Sequence, residues 1–286
     1  MRYITLNDMM TTIRRNIWKI PHDIDFVIGV PRSGMICGSV VSEFINVPLI
    51  DLNSFVQGVE PSGGMRLSLV KSNSGNTKPK VLVMDDTVFN GTSMRKSKKQ
   101  LQSFNDKYDF IYGVVYLEGK AVDEVDIYLE DVRCNTDVIY EWNIFNHHPH
   151  IMKRCMYDLD GVFCVDPPDE RNEEEYLKYI KNAIPLFIPK VPIGKICTYR
   201  LIKNQEITQN WLKEQGIVYD SLFMFNAKTY EERQNSGISP SVMKAKVYGN
   251  DKDSILFIES DDMQARDIQM ITGKQVLCVS TNKLYG

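Results

Sequence analysis

The chain has 286 residues, and its 34 Lys and Arg against 37 Asp and Glu leave a formal net charge of −3. That balance offers no basic surface for a polyanion, so nucleic acid is not an expected partner. The length suffices for two cores of ordinary size, and no run of about 18 apolar residues is present to span a membrane.

In chain order, residues 5–18 read as a helix with Asn7 or Thr5 as its cap. Phe26 to Val30 is a short apolar strand that runs into Pro31-Arg32-Ser33-Gly34-Met35, and a helix follows to about Ile45. Residues 51–79 are polar and glycine-containing; a loop of this length inside a compact domain is functional or disordered. A strand over 81–84, a helix over 92–104 and a strand from Phe110 to Leu117 come next, with a short strand at Val125 to Tyr128. The pattern restarts near residue 150. Ile151 to Tyr157 is a strand, 174–184 a helix, Ile193 to Cys197 a strand, and 205–215 a helix stopped by Gly216. Phe223 to Asn226, Ile255 to Ile258 and Val276 to Val279 complete the strands. This alternation predicts an α/β protein with two parallel-sheet domains, 1–150 and 151–286. The boundary falls after Asn146-His147-His148-Pro149-His150, where no Cys or acid stands at zinc-ligand spacing. The nearby aromatics Tyr140, Trp142 and Phe145 are expected to pack the two domains together. The six cysteines (37, 134, 155, 164, 197, 278) form no Cys-x-x-Cys pair. With no signal-peptide segment at the N-terminus, they predict reduced core thiols in a cytoplasmic protein.

Residues 81–94, Val-Leu-Val-Met-Asp-Asp-Thr-Val-Phe-Asn-Gly-Thr-Ser-Met, carry the most information. Asp85 and Asp86 end the apolar run, where open α/β sheets bind ligands. The backbone N–H groups of Asn90, Gly91, Thr92 and Ser93 would open the next helix and cradle a phosphate. Two acids before a phosphate loop suit a sugar phosphate, although an acid pair alone also suits a metal site or a helix cap. The stretch resembles the signature of the type I phosphoribosyltransferases, which bind phosphoribosyl pyrophosphate there. Ile28-Gly29-Val30-Pro31-Arg32-Ser33-Gly34-Met35 resembles the pyrophosphate loop of the same family, with Arg32, Ser33 and Gly34 at the leaving group. The long loop 51–79 would then close over the substrate, with Arg66 and Lys71 toward pyrophosphate. The resemblance covers about residues 5–120. It departs at Asn90, where many members carry Thr. It implies that Asp85 and Asp86 act on the ribose while Mg²⁺, Arg and backbone amides neutralise departing pyrophosphate.

Asp158-Leu159-Asp160-Gly161-Val162 resembles the first motif of the haloacid-dehalogenase-like phosphatases. A calcium or structural loop also uses Asp-x-Asp-Gly. The resemblance, over about 152–280, implies a Rossmannoid domain with a small cap. Asp158 would attack phosphorus and Asp160 would serve as acid and base. Thr198 would bind the phosphoryl group, and Lys244, with Lys246 as competitor, would neutralise charge. Asp158, Asp160 and Asp261 would hold Mg²⁺, with Glu259 or Asp262 as alternatives to Asp261.

A transferase that made a nucleotide would have its product undone by such a phosphatase. A transferase that placed 5-phosphoribose on another acceptor would have its product finished, leaving a plain ribofuranosyl group. The expected function is therefore bifunctional: transfer from phosphoribosyl pyrophosphate to a glycan or lipid-linked saccharide, then removal of the 5-phosphate, in bacterial surface polysaccharide synthesis. Membrane contact would be peripheral, through a lipid-linked acceptor. The alternative is a nucleobase phosphoribosyltransferase, of the orotate or purine salvage kind, with an attached phosphatase.

Overall fold

The computed structural model describes residues 1–64, 78–133, 137–146, 149–168 and 171–286. Arg66, Lys71, Cys134, His147 and His148 lie outside the described residues. The chain divides into two compact units, Met1–Trp142 and Asn143–Gly286. The division falls a few residues before the expected one at 150. Both units are mixed α/β with parallel sheets.

The first unit opens with β1 (Arg2–Ile4) and the helix Leu6–Asn16. Thr5, not Asn7, caps that helix: its hydroxyl accepts from Asp8 N, and Asp8 accepts from Thr5 N, a reciprocal box that satisfies two orphan donors. The main sheet contains β2 (Phe26–Gly29), β3 (Leu49–Asp51), β4 (Lys80–Val88), β5 (Asp109–Leu117) and β6 (Ile127–Asp131). The order is β3-β2-β4-β5-β6 and every pairing is parallel. β1 pairs separately with β7 (Val138–Tyr140). Helices Ser33–Ile45 and Thr92–Leu101 follow β2 and β4. A short helix, Leu52–Val56, begins what reads in the sequence as uninterrupted loop; Asp51 caps it.

β4 corrects the sequence reading. It does not stop at Met84 but continues through both acids to Val88. β2 ends opposite Met84, while β5 pairs with β4 as far as Val88. One neighbour therefore holds the strand extended past the point where the other gives out.

In the second unit the sheet order is β10-β9-β8-β11-β12-β13. The strands are β8 (Cys155–Tyr157), β9 (Ile193–Leu201), β10 (Tyr219–Phe225), β11 (Leu256–Glu259), β12 (Val276–Cys278) and β13 (Lys283–Tyr285). All pairings are parallel except β12 with β13. Helices Glu173–Asn182, Gln205–Glu214, Pro240–Asn250 and Asp262–Thr272 connect them.

The aromatic run does not behave as one junction. Tyr140 and Trp142 pack in the first unit, where Trp142 lies 4.8 Å from the Tyr140 ring and stacks on Tyr116. Phe145 belongs to the second unit, stacked on Phe187 at 4.8 Å and edge-on to Phe163. Asn146 also accepts from Lys190 N at 3.0 Å. The cut therefore matters: fragments 1–142 and 143–286 are each expected to unfold cooperatively in urea. A fragment starting at 151 should be less stable than 143–286 by about 3 kcal/mol, the usual cost of losing a buried Phe. Equal midpoints for the two C-terminal fragments would refute this.

Cysteines 37, 155, 164, 197 and 278 are buried, and none of them is in a disulfide among the described residues. No described helix is long and apolar enough to cross a membrane.

Candidate functional site

Each sheet has a point where the chain reverses the direction in which it adds strands. In the first unit β3 lies on one side of β2 and β4 on the other; in the second, β9 and β11 flank β8. Open sheets bind ligands in the crevice beyond the strand ends at such points. Asp85, Asp86 and Ser93 lie at the first, and Asp158, Lys244 and Glu259 at the second.

At the first reversal, Asp85 and Asp86 are buried, at 7% and 6% exposure. Asp85 Oδ1 accepts from Asp86 N at 3.0 Å, and Oδ2 accepts from the Ser93 hydroxyl at 2.9 Å. Burial first, and then the adjacent Asp86 carboxylate, push the Asp85 carboxyl up to about 8, against the pull of Ser93. The turn after β2 closes tightly on this pair. A Cβ on Gly34 would stand 2.6 Å from Met84 O and 3.0 Å from Asp85 Oδ1, so no larger residue fits. Gly91 adopts φ +75° and opens the helix Thr92–Leu101 with no side-chain cap. The Asn90 side-chain oxygen accepts from Thr92 N, and Arg95 fastens the loop by donating to Asn90 O and to Glu124. A helix start of this kind presents N–H groups suited to an anion. Arg32 is exposed and Ser33 partly so, before the helix that begins at Ser33; the Pro31–Arg32 peptide is cis.

Two residues that the sequence did not single out join this site. Trp142 Nε1 donates to Asp86 Oδ2 at 2.6 Å. Glu118, at the end of β5, accepts from the Tyr140 hydroxyl at 3.1 Å; burial pushes its carboxyl up, Tyr140 pulls it down, and Asp86 adds to the rise. The only signal for Trp142 was its place in an aromatic run, which suits packing equally well.

At the second reversal, Asp158 follows β8 and Glu259 ends β11; both are buried. Lys244 Nζ lies between them. It donates to Asp158 Oδ2 at 2.7 Å, to Glu259 Oε2 at 2.8 Å and to Gln264 Oε1 at 2.8 Å. Burial alone would lower the lysine, but the two carboxylates outweigh it and hold the ammonium above its ordinary value. Lys246 is exposed. Asp160 meets Arg200 in a two-pronged pair, Nε to Oδ2 at 3.0 Å and Nη2 to Oδ1 at 2.5 Å, and accepts from the Tyr179 hydroxyl at 2.7 Å. Burial would raise the Asp160 carboxyl, yet Arg200 and Tyr179 bring it below the usual range. Arg200 was not anticipated.

A cavity of about 540 Å³ joins these groups, with Asp158, Asp160, Lys244 and Asp261 in its lining. Thr198 is fully buried, accepts from Arg200 N, and does not line it. Asp262 is turned to Arg266, Thr281 and Tyr285 instead. No three acids form a metal-holding group among the described residues. Lys244 engages Asp158, Arg200 engages Asp160, and Asp261 caps its helix through Gln264 N.

Arg200 is 1% exposed, so Arg200→Met would leave Asp160 buried without its countercharge. Breaking one side of such a pair costs about 3–5 kcal/mol. Urea unfolding of 143–286 should show a loss of that size; a loss within experimental scatter would mean that the pair is solvated.

No protein-family model matches the chain, and no curated protein does. Solved structures similar to it include orotate phosphoribosyltransferase from Aeropyrum pernix, at 19% identity over 44% of this chain and 70% of that one, TM-score 0.32. Helicobacter pylori xanthine-guanine-hypoxanthine phosphoribosyltransferase matches at 14% identity, over 50% of this chain and 92% of its own, TM-score 0.35. A Neisseria gonorrhoeae hypothetical protein with bound ppGpp matches at 19% identity, over 50% and 89%, TM-score 0.36.

Proposed function

We propose that the first unit transfers 5-phosphoribose from phosphoribosyl pyrophosphate to a glycan or lipid-linked saccharide, and that the second removes the 5-phosphate to leave ribofuranose, in bacterial surface polysaccharide synthesis. One observation carries this reading: a single chain places a buried acid pair beside a glycine-led helix start at one sheet reversal, and an Asp–Lys–Glu cluster at another.

In the first unit, Asp85 and Asp86 take the ribose hydroxyls, and the helix start at Thr92 takes the 5-phosphate. The donor binds as its Mg²⁺ complex, with Arg32 toward the pyrophosphate. The C1–pyrophosphate bond breaks through a cationic sugar, which the acid pair stabilises, and the acceptor oxygen closes on C1 as its hydroxyl proton passes to the departing pyrophosphate. In the second unit, Asp158 attacks phosphorus as the bond to the sugar O5 breaks, and the departing O5 takes a proton from Asp160. Lys244 holds the charge of both reactants. Asp160, fixed by Arg200 and Tyr179, takes a proton from the water that cleaves the aspartyl phosphate.

The test is incubation of the protein with Mg²⁺, phosphoribosyl pyrophosphate and a panel of lipid-linked saccharides and nucleobases, followed by mass spectrometry. A saccharide that gains phosphoribose and then loses phosphate supports the proposal. Products formed with bases alone would replace it.

A further inference from the structure

We infer that Glu118 holds the acceptor of the first unit, by taking a hydrogen bond from a saccharide hydroxyl next to the one that attacks C1; this rests on the transferase reading of the acid pair. Sheet order sets the sides of that site. β2 and β5 flank β4 on opposite sides. The turn after β2, proposed for the pyrophosphate, therefore lies on one side of the acid pair, and the end of β5 lies on the other. An acceptor that closes on C1 needs the side that the leaving group does not fill. Glu118 stands there, as the first residue beyond β5.

Backbone and side chain both fix it. Glu118 N and Gly119 N each donate to Val88 O at 3.0 Å, which clamps the end of β5 to the end of β4. The Tyr140 hydroxyl donates to Glu118 Oε2 at 3.1 Å, the Tyr140 ring packs 4.8 Å from Trp142, and Trp142 Nε1 donates to Asp86 Oδ2. One aromatic pair thus steadies two carboxylates, one for the ribose and one beside it. Glu118 is half-buried, and its Oε1 makes no hydrogen bond among the described residues. An ionised carboxylate accepts and does not donate, so this oxygen suits a hydroxyl. Phe89, next after Val88, is 55% exposed. A ring near a carboxylate suits a sugar, which offers C–H groups to the one and hydroxyls to the other. Glu118 binds and moves no proton; the attacking hydroxyl still loses its own to pyrophosphate.

The experiment gives the full-length protein Mg²⁺, phosphoribosyl pyrophosphate and the octyl glycosides of glucose, galactose, N-acetylglucosamine and rhamnose, and follows initial rates by mass spectrometry. Glu118→Met keeps the length of the side chain and removes the acceptor oxygens. It should raise KM for the accepted glycoside about 30-fold, while kcat and the KM for phosphoribosyl pyrophosphate stay within about 3-fold of the parent's. Tyr140→Phe keeps the ring and frees the carboxylate, and should raise the glycoside KM about 5-fold. Monodeoxy analogues of that glycoside decide whether Glu118 touches it. One analogue should lose the same factor with the parent protein and lose nothing more with Glu118→Met, whereas a merely structural defect would weaken every analogue alike. If Glu118→Met does not fold, Glu118→Gln carries the same comparison. An unchanged glycoside KM, losses that add for every analogue, or a loss in kcat alone overturns the inference and leaves the transferase reading standing. Transfer to no glycoside, or to nucleobases alone, removes that reading and takes the inference with it.

Discussion

Asp158→Asn is expected to stop phosphate release while transfer continues, so that an acceptor carrying ribose plus one phosphate accumulates. The amide keeps the shape of the carboxylate and a contact with Lys244 Nζ, now 2.7 Å from Oδ2, but it cannot attack phosphorus. Loss of a nucleophile that acts as one unit with its neighbours costs about 10⁴-fold or more in kcat. Product masses decide the matter: finished ribofuranosyl product at the normal rate would remove Asp158 from the chemistry. Transfer should be spared because the acid pair belongs to a different compact unit.

Asp85→Asn is expected to abolish transfer and, at alkaline pH, to make the protein more stable. Unfolded, an aspartate loses its proton near pH 4. Folded, Asp85 keeps it to about pH 8, because burial and Asp86 oppose ionisation. Between those values the folded state binds more protons, so stability falls as pH rises. Asparagine has no proton to lose, and its amide can meet both Ser93 Oγ and Asp86 N. Its advantage should be absent near pH 4 and reach a few kcal/mol, to order of magnitude, above pH 8. Urea midpoints at pH 5 and pH 8.5 measure this difference. A variant no more stable than the parent at pH 8.5 would show that Asp85 ionises freely in the folded protein. The gain in stability with loss of activity is the mark of a site kept under electrostatic strain for function.

What the sequence revealed and what it hid follow from range. The strand cores Phe26 to Gly29, Val81 to Met84 and Cys155 to Tyr157 are apolar runs bounded by turns, and period and composition identify them. The extension of β4 through Asp85 and Asp86 left no local trace, because it depends on β5 continuing where β2 has ended. Lys244 and Lys246 share one helix and one composition, and only packing separates the buried lysine from the exposed one. Arg200 and Asp160 lie 40 residues apart, and nothing near either announces the other. Glu259 lies 15 residues from Lys244 in sequence, and only the fold brings the two into an ion pair. Trp142 was legible as an aromatic but not as a hydrogen-bond donor to an acid.

That bond from Trp142 to Asp86 also has a spectroscopic consequence. The protein has three tryptophans. Trp211 lies in the second unit, buried, with its N–H on Ala183 O. Trp18 is 70% exposed, so its emission is that of a solvated indole. Of the three, Trp142 touches the acid pair, and a sugar hydroxyl bound to Asp86 Oδ2 shares that oxygen with its N–H or displaces it. Intrinsic fluorescence of the 1–142 fragment thus distinguishes an occupied acid pair from an empty one, with no label and no turnover.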